Sequence, residues 1–401
     1  MYSCYPELKL CNSANELPQT LDYSIKLKQF VLKVDKLNFI GAMMKTWKQN
    51  RLTERLGLDV PIIQAPMAGA TTPEMAVAVS GRGGLGSLGC LLQSLEKTRH
   101  DCEAIRTQTN RAFNINFSAH KAPLLDEDRN QAAREKLAPF YKEFGIDEIP
   151  AAEVSSEPFN ENALTTVLEI RPTVISFHYG LPSNDLVFAI KEAGLFTISS
   201  ATTVKEALML EAAGADAVVA QGFEAAGHRG TIEEPYEDGW IGTMALVPQI
   251  VDAVSIPVIA AGGIMDGRGI AAALALGAEG VQMGTAFLGC PESSIPAVYR
   301  SALLDRNNIK TELSSAFSGR PARGIENRFI KEMKGSESDF PEFPILNTLT
   351  GPLRKASAEA GNPDFVALWA GQGYGMSRAM PAADLLDTLV DETDEILNRL
   401  S

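Results

Sequence analysis

The chain has 401 residues, 45% of them apolar and 21% charged, enough for one barrel-sized core of roughly 250 residues with a smaller unit beside it. Its 36 basic and 50 acidic residues leave a net charge of −14, which excludes nucleic acid and anionic membrane surfaces as main partners, since an acidic surface attracts neither. No apolar run reaches the roughly 18–20 residues that span a bilayer.

Residues 1–43 read differently from the rest. The segment IKLKQFVLK at 25–33 is short, apolar and basic, without the long apolar core and small-residue cleavage site of a secretory signal. Glu7, Glu16, Asp22 and Asp35, with no arginine before Arg51, do not fit a mitochondrial presequence. The expectation is a loosely ordered extension ahead of a folded unit that begins near Met44. From Val60 onward a short β-branched or Gly-edged run alternates with a longer amphipathic stretch. The predicted strands are Val60–Ala65, Leu85–Leu88, Phe113–Phe117, Thr173–Phe177, Leu195–Ser199, Ala217–Ala220, Pro257–Ala261 and Gly280–Met283. Helical patterns lie between most of them, as in VKEALMLEAA at 204–213 and GIAAALAL at 269–276. Strictly alternating strands and helices predict parallel strands joined by crossovers, and eight units are the number that closes a (β/α)8 TIM barrel of the α/β class. An open doubly wound sheet is the competing architecture. An extra charged helix is expected around Arg129–Phe144. A Gly-rich loop follows the sixth strand at Gln221–Gly230. After the eighth strand, Pro-punctuated helices from Pro291 to about Asn362 predict a small, mostly helical domain inserted over 289–375. The helix at Ala382–Leu400 would then pack back on the barrel as part of 376–401.

In such barrels the working face is the C-terminal end of the strands. The first strand ends in QAPMAG, where Pro66, Met67 and Ala68 put little side chain in the way of a flat ligand. The seventh ends in AAGGI (Gly262, Gly263) and the eighth in QMGT (Gln282, Met283, Gly284, Thr285). Glycines let backbone N–H groups approach an anion, and phosphate sites in this fold recur after the last two strands. Of four histidines, His178 ends the fourth strand in SFHYG and His228 lies in the GHRG loop beside Gly227. An imidazole suits proton abstraction near neutral pH, and the flanking glycines favour His228 as the base. His178 is left to shape the pocket or orient the substrate. His100 and His120 carry no motif and read as surface or structural. Asn116 and Gln221 can each bind a heterocycle edge or brace a loop. Cys90 reads as a small buried residue, not a nucleophile. The cluster GRPARG, with Arg320 and Arg323, can bind an anionic substrate or fix a turn. The five cysteines (Cys4, Cys11, Cys90, Cys102, Cys290) are odd in number and lack C-x-x-C spacing, predicting no disulfide framework or zinc site and a cytoplasmic setting.

Taken together, IIQAPMAGATTPEMAVAVSGRGGLGSLG, SFHYGLP, AVVAQGFEAAGHRG, PVIAAGGIMDGRGIAAALALGAEGVQMGTAFL, SGRPARGIENRF and LWAGQGYG resemble the nitronate monooxygenases, formerly called 2-nitropropane dioxygenases. The resemblance covers about Asn50 to Leu397, and SFHYG with SGRPARG looks like the subgroup that works without a nicotinamide cofactor. It implies an FMN-binding barrel over 44–288 with 289–375 as a substrate cap. The flavin would lie over Pro66, Met67 and Ala68, with Asn116 and Gln221 near its polar edge and Gly227 close by. Its phosphate would sit on Gly262, Gly263, Gly284 and Thr285, with Gln282 and Met283 also among the cofactor-binding residues. His228 corresponds to the family's catalytic base, and His178, Arg320 and Arg323 would face the substrate. Ala226 departs from the family pattern, which has a glycine there. The implied reaction is oxidation of a small-molecule nitronate by dioxygen, through a flavin semiquinone, to a carbonyl compound and nitrite. Propionate 3-nitronate is one such substrate, and Arg320 or Arg323 would meet its carboxylate. The enzyme would be a monomer or homodimer. A flavin-dependent NAD(P)H:quinone or enoyl-thioester reductase of the same barrel type is the alternative, followed by a non-redox phosphate-binding lyase or synthase.

Overall fold

The computed structural model describes residues 47–233, 235–307 and 310–400. The expected extension over residues 1–43 lies outside them. From Lys48 onward, eight parallel strands run Ile62–Gln64, Gly86–Gly89, Phe113–Ser118, Val174–His178, Phe196–Ala201, Ala217–Gln221, Val258–Ala261 and Gly280–Met283. Each pairs with its sequence neighbour, and the eighth pairs with the first through Ile63↔Gln282. The ring closes where Gln64 N donates to Leu85 O (3.0 Å) and Leu85 N to Ile62 O (3.0 Å). All eight predicted strands are present, within a residue or two of the expected ends. The open-sheet alternative is excluded by the closure.

Strands of a closed parallel barrel are covered on both faces, and every residue of Phe196–Ala201 and Ala217–Gln221 is buried, the small polar Thr197, Ser199 and Ser200 included. Inside the ring, Ile63, Val174, Ile198, Val219 and Ile259 pack with Leu52 and Leu56 of helix Arg51–Leu56. Asn50 caps that helix and donates from Nδ2 to Glu279 O (2.7 Å), just before the eighth strand. The helix therefore covers the N-terminal end of the barrel, and the C-terminal end is left for a ligand. Each fully buried aliphatic side chain here is worth about 1.5–3 kcal/mol.

The stretch after the eighth strand contains helices Ala297–Leu304, Arg328–Met333 and Ile345–Glu359 and a hairpin, Thr311–Ser314 with Ala322–Ile325. The hairpin was not anticipated. It continues onto the short strand Gly227–His228, with Ala322 opposite His228 and Arg323 opposite Gly227. Its partner lies nearly a hundred positions earlier, so no local pattern announces it. Helix Glu127–Glu143, the extra charged helix, joins this stretch in a second core in which Leu137, Phe140 and Tyr141 meet Phe317, Phe329, Leu346 and Leu349. Helix Ala382–Leu400 packs against helices Pro73–Gly81 and Gly267–Ala275. No helix among the described residues is long and apolar enough to cross a membrane.

Candidate active site

A cavity of about 750 Å³ lies over the C-terminal ends of the barrel strands. Its floor includes Pro66, Met67, Ala68, Asn116, Gln221, Gly262, Gly263, Gln282, Met283, Gly284 and Thr285. Gly227, His228 and His178 form one wall, and Tyr299, Phe343 and Trp369 contribute to the rest. Apart from Tyr299, Phe343 and Trp369, these residues come from six barrel strands or the loops after them, and the fold brings together every one expected on the cofactor side.

The loop carrying His228 is held from below. Arg229 is fully buried; its Nη1 donates to Gly222 O (2.7 Å) and its Nη2 to Gln221 O (2.9 Å) and Gly239 O (2.8 Å). Glu206, in the capping box of helix Val204–Ala212, also accepts from Ile232 N (2.6 Å) and so pins the far end of the loop. Gln221 donates to His228 O (3.0 Å) and accepts from Gly230 N (2.7 Å). Its amide braces the loop as well as lining the cavity. Asn116 lines the cavity and gives one N–H to Ser176 Oγ (3.0 Å).

The hydrogen bonds assign the two histidines different states. His178 Nε2 lies 3.2 Å from His228 O, which can only accept, so Nε2 carries the proton and Nδ1 accepts from Ser200 Oγ (2.6 Å). Both nitrogens are engaged and His178 has no lone pair for a base. His228 Nε2 lies 2.8 Å from Ser318 Oγ, and Ser318 donates to Arg320 O (3.3 Å). With that proton given away, Ser318 accepts from Nε2–H, and Nδ1 is left unprotonated and without a partner among the described residues. Burial, reinforced by His178, Arg320 and Arg354, pushes His228 down to about 3. Burial and then Arg320 bring His178 down to about 4. Both rings are neutral at physiological pH. The rings of Phe343 (5.3 Å), Trp369 (5.5 Å) and Tyr179 (6.4 Å) surround His228. Tyr179 has φ +69°, a left-handed conformation that costs a non-glycine residue about 1–2 kcal/mol.

The two arginines expected to face the substrate do not reach the cavity. Arg323 is buried under the hairpin, where Nε donates to Phe223 O (3.0 Å) and Nη1 to Thr311 Oγ1 (3.2 Å). The Arg320 guanidinium is clamped over the rings of Tyr179 (4.0 Å) and Tyr236 (5.0 Å) and donates to Thr231 O. Each is held by the packing of its own segment, and although Arg320 Nε and Arg323 Nη2 are buried without a partner, neither residue lines the cavity. The cationic lining instead comes from Arg354 and Lys355 of helix Ile345–Glu359, which the sequence reading passed over together with Ser318. His120 is buried and bonded to Ser118 Oγ (2.8 Å), a structural residue. The Cys90 thiol is buried and pushed up to about 12 by desolvation, which removes it as a nucleophile.

The floor fits a flat, phosphate-bearing group. Gly262 (φ +115°) and Gly263 (φ +73°) adopt backbone conformations that L side chains rarely enter. A Cβ on Gly227 would meet no atom within 4 Å, and one on Gly284 would meet only Ala65 Cβ and Met67 Sδ, both at 3.5 Å. Side chains there would stand in cavity space that a ligand can fill. The first-turn amides of helix Gly267–Ala275 are already taken by Asp266 and Glu392. An anion would therefore rest on the glycine turns and not on that helix.

A closed barrel with a histidine held over a glycine-lined floor is the geometry of an enzyme site, and the comparisons give its class as oxidoreductase. The nitronate monooxygenase family profile matches residues 49–392. A nitronate monooxygenase of Pseudomonas aeruginosa is 46% identical over 346 residues, 86% of this chain and 99% of its own. A probable nitronate monooxygenase of Staphylococcus aureus is 40% identical over 352 residues, 88% of this chain and 99% of its own. Among solved structures, a nitroalkane oxidase of Streptomyces ansochromogenes superposes with TM-score 0.82 at 39% identity, covering 88% of this chain and all of that one. FabK of Thermotoga maritima gives 0.68 at 28%, covering 88% and 98%. The chain belongs to the nitronate monooxygenase family.

Proposed function

We propose that the protein oxidises alkyl nitronates, propionate 3-nitronate among them, with dioxygen to a carbonyl compound and nitrite, using FMN bound at the cavity floor. Pro66, Met67 and Ala68 would face the flavin ring, Asn116 and Gln221 its polar edge, and the turns Gly262–Gly263 and Gly284–Thr285 its phosphate. When bound, FMN supplies electron transfer from the nitronate to dioxygen. The chain supplies the rest. His228 Nδ1 accepts the α-proton of a neutral nitroalkane, while a preformed nitronate needs no base. Ser318 holds the ring, and the aromatic walls exclude water from it. We assign residues 289–375 the role of cap and the cytoplasm as the setting.

The observation that carries this reading is His228, with one nitrogen held by Ser318 and the other open to a cavity whose floor admits a flat ligand. Oxygen uptake by purified protein given a nitronate, beside parallel assays with NADH and NADPH, is the test. Uptake with nitrite release and no nicotinamide requirement is expected. Oxidation of NADH or NADPH with a quinone, and no uptake with nitronate, would replace the reading by the reductase alternative, with which the likeness to FabK is compatible. A protein that stays colourless after supplementation with FMN would exclude both flavin readings.

A further inference from the structure

Helix Ile345–Glu359 turns one face to the cavity. Asn347, Gly351, Arg354, Lys355 and Glu359 all line it, at the i, i+4, i+7, i+8 and i+12 spacing of a single helical stripe. Two of these residues form a loose pair, Lys355 Nζ and Glu359 Oε1 at 3.9 Å, on exposed side chains. Arg354 differs. Its Nη2 donates to Asn347 O (2.9 Å) and Asn347 Oδ1 (2.8 Å), which locks the side chain against its own helix. Its Nε is buried with no partner, and Nη1 makes no hydrogen bond among the described residues. No carboxylate is among the groups that act on it, and burial brings it down to about 10, still protonated near neutrality. A desolvated guanidinium without a counter-ion is costly, and it is found where a ligand completes it. The space beside it is open: a Cβ on Gly351 would meet only Arg354 Nη2, at 3.9 Å.

We propose that Arg354 is the anchor for a second anionic group on the substrate, a carboxylate at the end away from the nitro carbon, reached through the space over Gly351. The assignment rests on the nitronate reading for the reacting end and moves the carboxylate site from Arg320 and Arg323 to the cavity-facing helix. Asn347 pre-orients the guanidinium, so little side-chain entropy is lost on binding. Selectivity for acidic nitro compounds then follows from Arg354, while His228 acts at the other end of the same molecule.

The test is equilibrium binding to the flavin-loaded protein, measured by titration calorimetry with 3-nitropropionate and with 1-nitropropane, which shares the chain but not the acid. The native protein should prefer the acid by about tenfold or more, the scale of a hydrogen-bonded charge pair. Arg354→Met should weaken 3-nitropropionate by about tenfold to a hundredfold and leave 1-nitropropane within about twofold. Arg354→Gln provides the same comparison if the methionine variant does not fold. Equal weakening of both ligands, an unchanged affinity for the acid, or no preference in the native protein would overturn the assignment. A preference that depends on Arg354, together with no oxygen uptake on either nitronate, would sink the nitronate reading and leave the anion site standing.

Discussion

At the scale of single residues the working unit is the chain His228–Ser318–Arg320 carbonyl. Replacing His228 by asparagine keeps a polar group of similar reach and removes the proposed base. Turnover of a neutral nitroalkane should fall about 10²-fold or more, and turnover of the preformed nitronate much less; equal losses in steady-state assays would make His228 a binding residue. Ser318→Ala should cost the nitroalkane reaction about tenfold, because an unheld ring can present Nδ1–H in place of the lone pair, with Ser318→Thr restoring most of it. Since burial keeps His228 down to about 3, the nitroalkane profile should show no loss attributable to this ring between pH 8 and 5, contrary to a histidine titrating near 6.5. How much of this is legible in the sequence depends on the range of the contacts. The glycine turns at Gly262–Gly263 and Gly284 are readable because their constraint is local backbone geometry. Ser318 is not, since its contact with His228 spans 90 positions. Arg320 and Arg323 read equally as ligand groups or turn braces, because an arginine carries the same letter whether its partner is a substrate or the rings of Tyr179 and Phe223.

At the scale of elements, the eight strands and the C-terminal helix follow from the sequence pattern, short β-branched or Gly-edged runs alternating with longer amphipathic stretches. Helix Ile345–Glu359 shows where periodicity stops being informative. Its cavity-facing stripe is polar, and a polar stripe on a helix reads as a solvated face until the facing wall is known. The loop over 222–230 is the element most exposed to a single change. Arg229→Met removes the donors of three buried carbonyls and should destabilise the protein by about 2–4 kcal/mol, taking each lost partner as about 1 kcal/mol. A lowered urea midpoint, with faster amide exchange confined to this loop before global unfolding, is the expected result. An unchanged midpoint would mean that Glu206 and Gln221 suffice to hold the loop.

At the scale of the whole molecule, three histidines are kept neutral by burial: His120 and His178 at about 4 and His228 at about 3. In the unfolded chain each titrates near 6.5. Between those values the unfolded state binds more protons than the native one, so stability is complete above pH 6.5 and falls as the pH drops toward 4. Denaturation at pH 7 and pH 4.5 should differ by an amount on the order of a few kcal/mol, and His120→Asn should flatten part of that slope. A flat stability between these pH values would show the rings protonating without cost. The antiparallel pairing of Gly227–His228 with Ala322–Arg323 has a consequence of another kind. Backbone bonds stitch His228 to the strand Ala322–Ile325, so that junction cannot drift in one half without dragging the other, and divergence there is penalised twice. Helix Ile345–Glu359 carries no such seam with the His228 strand. Relatives that have taken up different nitro compounds should accordingly have diversified along this helix while leaving the stitched junction alone, a pattern that comparing their sequences at 227–228, 322–323 and 347–359 will reveal or refute.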